Sequence, residues 1–472
     1  MPLLRLIAEK VGPFEKLDLD LSDGNGNPHL GPHILAGVNG SGKSTALRAI
    51  AWAVDAERCG FNYQEWRHFL SGRDESRAQL VLRPPHSTPL LYVCAEGRIS
   101  SERVTVLVRW LEGMPLPAEV WLPTLRWATS GENCFRGRSF DFMISEKGLF
   151  SIAAYAPSRL LKHLESPDSR ATLTDPFKNC LAFESTVNNE GIQAWLLSLH
   201  TRRALAKERG KSTESYERSL SRFQAALELV CGQDVHFEVE TEPTLQLRLR
   251  VFGQSLNFSQ LPDGIRNTVG WLADYMMRQD LIHWEPALDG RRPGILLLDE
   301  VDAHLHPLWQ RKLLPAMRNA LPDVQIIVSS HSPFVISSCP GSRVHVLDLD
   351  SQGRAHVVHS ENAPFGESVT ATLKDIFGVS SRFDIQTAGD LAEWNRLKKK
   401  EVSGSLSCED QGRLEKLTKE LAERSEELRS IVGSPPTLPD ALVQALVRRK
   451  KATPVSRRSE SKSSRKRQPV AG

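Results

Sequence analysis

The chain has 472 residues, 25% charged and 40% hydrophobic with a net charge of +3, which is the balance of a soluble globular protein large enough for a second subdomain. No apolar run approaches the roughly 18 residues of a membrane helix, and the apolar part of the first ten residues is too short for a secretory signal. Seven cysteines without C-x-x-C spacing favour free thiols in a reducing compartment over a disulfide framework or a zinc site, so we expect a cytoplasmic protein without membrane contact.

The chain begins with two apolar stretches, at residues 3–10 and 15–21, that we interpret as antiparallel strands. Apolar residues return at helical spacing after residue 188 and predict two helices broken near Gly210. The predicted organisation comprises an N-terminal lobe at 1–187, a helical insertion at 188–232, a C-terminal lobe at 233–383, a helical extension at 384–452 and a basic disordered tail at 453–472.

The segment GVNGSGKST matches the pattern G-x-x-x-x-G-K-[ST], between a short apolar run and a stretch of helical composition. In this strand–loop–helix context, glycines let several backbone N–H groups point at one anion, aided by the positive end of the helix. Lys43 is expected to reach the β- and γ-phosphates of ATP, and the Ser44 hydroxyl to bind Mg²⁺. The predicted nucleotide contacts are Gly37, Asn39, Gly40, Ser41, Gly42, Lys43, Ser44 and Thr45.

Two largely apolar stretches, at residues 294–299 and 324–329, are typical of strands buried on both faces of a parallel sheet. With the helical stretch between them they predict an α/β fold. Asp299 ends the first stretch and is placed to hold Mg²⁺, directly or through water. Glu300 stands where a base would orient the attacking water, and His331, after the second run, is expected to contact the γ-phosphate.

Together, GVNGSGKST, LLLDEVDAHLHP and SSHSPFVI resemble the motifs of ABC-type ATPases of the RecF/SMC/OLD branch. Within that branch the chain looks most like stand-alone prokaryotic anti-phage defence ATPases, those of Septu systems and retrons. The resemblance covers roughly residues 2–377. It implies a P-loop ATPase head with a mixed sheet and helical covers, and a homodimer or higher homo-oligomer that closes around ATP.

The resemblance also places a signature segment at residues 261–266, LPDGIR, with Pro262 where the family has a serine. In the family this segment faces the γ-phosphate of a second subunit, so Gly264 is a candidate contact and hydrolysis is expected to be slow. A plain Pro-Asp-Gly turn is the alternative. Asp302 matches the dimer-interface loop, although a surface aspartate would read the same way. Arg159 resembles a family arginine that could approach phosphate, with a solvated side chain as the alternative.

The resulting hypothesis is an ATPase that acts as sensor or regulator for a separate effector, by resemblance a nuclease. A nuclease domain within the chain is not expected, because Asp348 and Asp350 lie in a predicted hairpin. A RecF-like DNA repair ATPase is the main alternative, and a transporter subunit a weaker one. Residues 448–467 hold ten Lys or Arg and one acid, giving +9 there and −6 elsewhere. This basic stretch could bind nucleic acid without reading sequence, or serve only for solubility.

Overall fold

In the computed structural model the chain is an α/β protein divided into two compact units, residues 1–379 and 380–472. The structure describes residues 3–54 without 26 and 30, 76–82, 91–100, 103–112, 148, 150–158, 175–231, 236–240, 242, 246–251, 253–364, 366–379 and 383–433. None of the helices in these ranges is long and apolar enough to cross a bilayer.

Fourteen strands lie within the described residues, all in the first unit. They are β1 (Leu3–Val11), β2 (Phe14–Asp20), β3 (His33–Gly37), β4 (Ser76–Leu82), β5 (Leu91–Ser100), β6 (Arg103–Glu112), β7 (Ser151–Tyr155), β8 (His236–Glu240), β9 (Gln246–Val251), β10 (Gln254–Leu256), β11 (Gly294–Leu298), β12 (Val324–Ser330), β13 (Arg343–Leu349) and β14 (Ala355–Asn362). Eleven of them form one mixed sheet in the order β6-β5-β4-β1-β2-β14-β13-β3-β12-β11-β7, and β8 to β10 form a separate antiparallel sheet.

The large sheet has a parallel region whose central strands are fully buried. β11 pairs in parallel with β12 on one side and β7 on the other, and β3 lies between β12 and β13, also in parallel. Every residue of β3, β7, β11 and β12 is buried. The prediction of two buried parallel strands is confirmed, as is the antiparallel pairing of β1 with β2.

Ten α-helices lie within the described residues. They are α1 (Lys43–Val54), α2 (Asn189–Glu208), α3 (Glu214–Cys231), α4 (Asp263–Leu281), α5 (Pro307–Ala320), α6 (Pro333–Ile336), α7 (Val369–Phe377), α8 (Ile385–Val402), α9 (Cys408–Arg424) and α10 (Glu426–Gly433). The predicted break between α2 and α3 is present, since Gly210 has a φ of +64° and ends the first of them.

Helix α4 is buried along nearly its whole length and is tied to its surroundings by an internal ion pair. Arg278 Nε donates to Asp274 Oδ2 at 2.6 Å, and the exposed fractions of the two side chains are 3% and 0%. Tyr155, the last residue of β7, donates its hydroxyl to the same carboxylate oxygen at 2.7 Å. The remaining guanidinium N–H groups donate to the carbonyls of Pro176, Lys178 and Thr186. This network joins α4 to the strand beside β11.

Two histidines lie in contact inside the sheet. His33 opens β3 and His345 lies in β13, with 3.1 Å between Nδ1 of the first and Nε2 of the second. Nδ1 of His345 is 2.8 Å from the hydroxyl oxygen of Ser360. Nε2 of His33 is buried and has no hydrogen-bond partner among the described residues. His33 Nδ1–H can donate to His345, and His345 Nδ1–H can donate to Ser360. The buried Nε2 of His33 then carries no proton and is an unpaired acceptor.

The second unit has a core of its own, formed where α8, α9 and α10 meet. Leu397, Leu417 and Leu421 are fully buried within it, and the indole N–H of Trp394 donates to the Thr418 hydroxyl at 2.8 Å. Ser407 caps α9 by accepting the N–H of Asp410. Residues 434–452 of the predicted helical extension and the basic tail at 453–472 lie outside the described residues.

Candidate nucleotide-binding site

The phosphate-binding pattern occupies the turn between β3 and α1. Gly37 has a φ of +147°, and a Cβ there would lie 2.0 Å from the carbonyl oxygen of Leu347 in β13. Gly42 has a φ of +88°, and its Cβ would lie 2.4 Å from the ring of Phe14. Neither position accepts a side chain without moving the backbone or a core ring. The loop is therefore held close against the sheet by the two glycines that define its pattern.

The remaining loop residues divide into an exposed tip and a buried base. Asn39 and Gly40 are exposed, and nothing lies within 4 Å of where a Gly40 Cβ would be. Ser41 and Thr45 are buried, and Ser41 Oγ has no hydrogen-bond partner among the described residues. The tip therefore leaves backbone N–H groups open to an anion at the beginning of α1.

Lys43, the first residue of α1, is 5% exposed and turns back over its own loop. Its ammonium donates to the carbonyl oxygens of Gly37 at 3.0 Å and Val38 at 2.8 Å. Burial lowers the pKa of Lys43 to about 8, and the nearby carboxylates of Asp299, Glu300 and Asp302 only partly oppose that shift. The cation is thus poorly compensated by the protein, which favours an anionic ligand beside it.

Asp299 follows β11 at its carboxyl end and is 4% exposed. Its Oδ1 accepts the hydroxyl of Ser44 at 2.9 Å and the hydroxyl of Ser329 at 2.5 Å. Two segments separated by 255 residues, one after β3 and one after β11, are thereby joined at one carboxylate oxygen. A serine hydroxyl and a carboxylate are oxygen ligands of the kind that Mg²⁺ prefers.

Glu300 is the first residue of a loop that runs to Leu305. Its backbone has a φ of +43°, uncommon for a residue with a side chain, and its N–H donates to Ser329 Oγ at 2.7 Å. Asp302 lies two residues on, and its buried Oδ1 has no hydrogen-bond partner among the described residues. The loop therefore presents two acidic side chains from a constrained backbone.

His331 immediately follows β12, the strand next to β11. Its pKa is lowered, first by burial and then by the positive charge of Lys43, while the three nearby carboxylates raise it. His331 therefore lies close enough to Lys43 and to the three carboxylates to interact with them electrostatically. The structure thus brings together Lys43, Ser44, Asp299, Glu300, Asp302 and His331.

Gly264 lies in the first turn of α4 and contacts the Glu300 loop of its own chain. A Cβ on Gly264 would lie 2.5 Å from the carbonyl oxygen of His304. The helix begins at Asp263, and its N-cap Pro262 makes no side-chain capping hydrogen bond. The segment is thus a helix start and not an isolated turn. Arg159 lies outside the described residues.

The residues present fit Mg²⁺ and a nucleoside triphosphate. Among the described residues there is no cluster of three or more His, Cys, Asp or Glu that could hold a metal alone. Mg²⁺ is commonly bound through one or two protein oxygens together with substrate phosphates, so Ser44 and Asp299 suffice. The two unpartnered oxygens, Ser41 Oγ and Asp302 Oδ1, leave hydrogen-bonding capacity at the same site.

Three residues of this region were missed at the sequence level. Ser329 bridges Asp299 and Glu300, while Gln310 and Ser332 are bonded to each other at 2.6 Å. Gln310 lies ten residues after Glu300, and Ser329 and Ser332 lie within two residues of His331. The signal that the sequence offered for them was a polar side chain close to a predicted buried strand.

The chain is similar in sequence to one protein family and to several named relatives. Residues 194–337 match the family described as "AAA domain, putative AbiEii toxin, Type IV TA system". The chain is 24% identical over 365 residues, 77% of its length, to "Septu protein PtuA" of Bacillus mycoides (strain KBAB4). It is 27% identical over 139 residues, 29% of its length, to "Retron Vc95 probable ATPase" of Vibrio cholerae serotype O1 biovar El Tor. It is 35% identical over 95 residues, 20% of its length, to "Retron Ec83 probable ATPase" of Escherichia coli.

The matched regions cover 42%, 26% and 17% of those three proteins, so the chain spans less than half of the relatives that it matches. Among solved structures, the SMC head domain from Thermotoga maritima shares 15% identity at a TM-score of 0.42, over 76% of this chain and 100% of that one. An Smc head domain from Pyrococcus furiosus shares 13% identity at a TM-score of 0.46, over 76% of this chain and 96% of that one.

Proposed function

We propose that the chain is an ABC-type ATPase of the RecF/SMC/OLD type, related to the Septu and retron ATPases, and that it binds and slowly hydrolyses ATP to regulate a separate effector in anti-phage defence. The observation that carries the nucleotide part is the shared contact of Ser44 and Ser329 with Asp299, which joins the phosphate loop to the acidic strand end.

Each residue of the site has a distinct role in this proposal. Lys43 exchanges its bonds to its own loop for bonds to the β- and γ-phosphates, and Ser44 with Asp299 holds Mg²⁺. When bound, Mg²⁺ neutralises charge that develops on the phosphate oxygens. Glu300 orients the attacking water, and His331 contacts the γ-phosphate. The constrained backbone of Glu300 fixes the direction from which that water is presented.

Slow hydrolysis is inferred from the beginning of α4. Two subunits would close around ATP, each presenting Gly264 and the first N–H groups of α4 to the nucleotide of the other, with Asp302 at the interface. Pro262 has no hydroxyl at the helix start, so the closing subunit brings one donor fewer. The closed dimer then persists for a long time before each hydrolysis event, which suits a sensor. A homodimer or higher homo-oligomer is the proposed assembly.

The effector is proposed to be a separate protein, by relationship a nuclease, and the basic tail a site for nucleic acid. Expressing the chain together with its neighbouring genes in a bacterial host, then challenging with phage, tests this. We expect protection that needs the neighbouring genes and that Lys43→Ala abolishes. Protection by the chain alone, or full protection by Lys43→Ala, would contradict the proposal.

A further inference from the structure

Gln310 connects the two loops that carry the acidic residues and the histidine. It lies in the first turn of α5, directly after the Glu300 loop. Its amide nitrogen donates to the carbonyl oxygens of Leu305 at 2.9 Å and Asp302 at 3.4 Å. Its amide oxygen accepts the Ser332 hydroxyl at 2.6 Å. One side chain therefore bonds to both loops.

Both ends of this connection are themselves well anchored. Ser332 Oγ also accepts the N–H groups of Phe334 and Val335 at the beginning of α6, so its position is fixed relative to His331. At the other end, the Asp302 and Leu305 carbonyls belong to the loop that includes the strained Glu300 backbone. The same loop reaches the signature-like segment, since Gly264 packs against the His304 carbonyl.

We propose that Gln310 is a positioning residue that makes the Glu300 loop and the Ser332 segment move as one body, so that the γ-phosphate contact at His331 and the partner-facing loop at Asp302 are coupled. This inference rests on the proposed ATPase function. A glutamine suits the task, because it both donates and accepts without adding charge to an acidic region.

The mechanism predicts an effect on turnover and not on binding. Neither Gln310 nor Ser332 belongs to the phosphate loop, so ATP affinity should not depend on them. Water orientation by Glu300 does depend on the loop geometry, and misplacement by about 1 Å lowers rates by up to about a hundredfold.

Gln325 provides a matched control. It is a buried glutamine in β12 that likewise bridges backbone groups, donating to Leu3 O at 2.9 Å and accepting Leu3 N–H at 2.7 Å, but it contacts neither loop. Gln310→Met and Gln325→Met remove amides of equal size from the same protein. Both are expected to lower the melting temperature. Only Gln310→Met should slow phosphate release at saturating ATP, by about tenfold or more, with the affinity for a fluorescent ATP analogue within about twofold of wild type.

Amide hydrogen exchange gives a readout that does not need turnover. Gln310→Met should raise exchange at residues 300–305 and 331–336 together, and Gln325→Met at neither. A double-mutant cycle with Ser332→Ala adds a direct test of the bond, since the combined variant should be no slower than the slower single variant. Unchanged exchange in both segments, or effects on turnover that simply multiply, would overturn the proposal.

The outcomes separate this inference from the proposed function. If the wild-type protein releases phosphate from ATP no faster than Lys43→Ala does, the ATPase assignment fails. If Glu300→Gln is slow while Gln310→Met behaves like Gln325→Met, the assignment stands and only the role of Gln310 is wrong.

Discussion

Ser329 donates a 2.5 Å hydrogen bond to Asp299 Oδ1 from the neighbouring strand. The same hydroxyl oxygen accepts the N–H of Glu300 at 2.7 Å. A single hydroxyl group thus fixes both the carboxylate proposed to hold Mg²⁺ and the backbone of the residue proposed to orient water. The hydroxyl donates one of these hydrogen bonds and accepts the other, and among small side chains only a hydroxyl does both from one oxygen atom.

We expect Ser329→Ala to slow ATP turnover by roughly tenfold, because the Glu300 N–H loses its Ser329 acceptor and the backbone of the loop can relax. Ser329→Thr keeps the hydroxyl and should retain most activity. Ser338→Ala is the control, since its hydroxyl donates to Val335 O at 2.7 Å outside the site. Steady-state phosphate release measures all three, and a Ser329→Ala rate equal to the Ser338→Ala rate would refute this role.

Glu300→Gln should bind ATP normally and turn over at least about tenfold more slowly, since an amide orients water but is a poor proton acceptor. Phosphate release and the affinity for a fluorescent ATP analogue should be measured on the same preparation. Lys43→Ala is the contrasting variant and should lose affinity. Wild-type turnover in Glu300→Gln would show that another residue is the base.

The pKa of Lys43, lowered to about 8 by burial, predicts a pH-dependent affinity. Phosphate binding needs the protonated ammonium, so as pH rises through 8 binding must include uptake of a proton. The apparent Kd for ATP should then increase by up to about tenfold per pH unit. Titrations between pH 7 and 9 test this. Lys43→Arg, which stays charged over the range, should remove the dependence, and an unchanged slope would assign it to another group.

Pro262→Ser should raise turnover severalfold by supplying a hydroxyl at the start of α4, which can also cap the helix. Pro262→Ala loses the ring without gaining the hydroxyl and is the matched control. ATP-dependent association should be followed by sedimentation velocity alongside. Equal turnover in the two variants would show that the hydroxyl is not what the site lacks. Gly264→Asp is a poor test, because its side chain would strike the His304 carbonyl before reaching any phosphate.

Asp274→Asn should lower the free energy of unfolding by about 3–5 kcal/mol, because it leaves the Arg278 guanidinium buried without its counter-ion. In the same helix, Asp263 pairs with Arg266 at 2.6 Å, and its side chain is 57% exposed. Asp263→Asn should therefore cost about 0–1 kcal/mol. Urea unfolding of both variants makes the comparison, and a similar small loss in each would mean that the buried pair contributes little.

Sequence reasoning recovered the elements whose signal is local. The apolar runs that became β11 and β12 lie in one stretch of chain each, and so do the phosphate loop and the Gly210 break between α2 and α3. Strand β7 was not predicted, although it pairs with β11, because five residues of SIAAY carry too little periodicity to mark a strand. Its place in the sheet depends on partners more than a hundred residues away.

The polar contacts within the site were harder to predict from the sequence. Nothing in the spacing of Gln310 and Ser332 shows that they meet, because 22 residues and a whole strand separate them. Asp274 and Arg278 are at i, i+4 spacing, which on most helices means a solvated surface pair. Only the burial of α4 on all sides converts that pair into an internal one. The grouping of Lys43, Asp299, Glu300 and His331 was predictable because parallel strands bring their carboxyl ends together.

The histidine pair at the other end of β3 makes the fold sensitive to acid. Burial lowers the pKa of His33 well below its usual value and that of His345 to about 3, so the unfolded chain takes up protons in mild acid that the folded chain refuses. Stability from these groups is present above about pH 6.5 and is lost as the pH falls, by up to about 1.4 kcal/mol per unit for each histidine. Because β3 has five residues, from His33 to Gly37, acidification is expected to loosen the phosphate loop through the far end of its own strand.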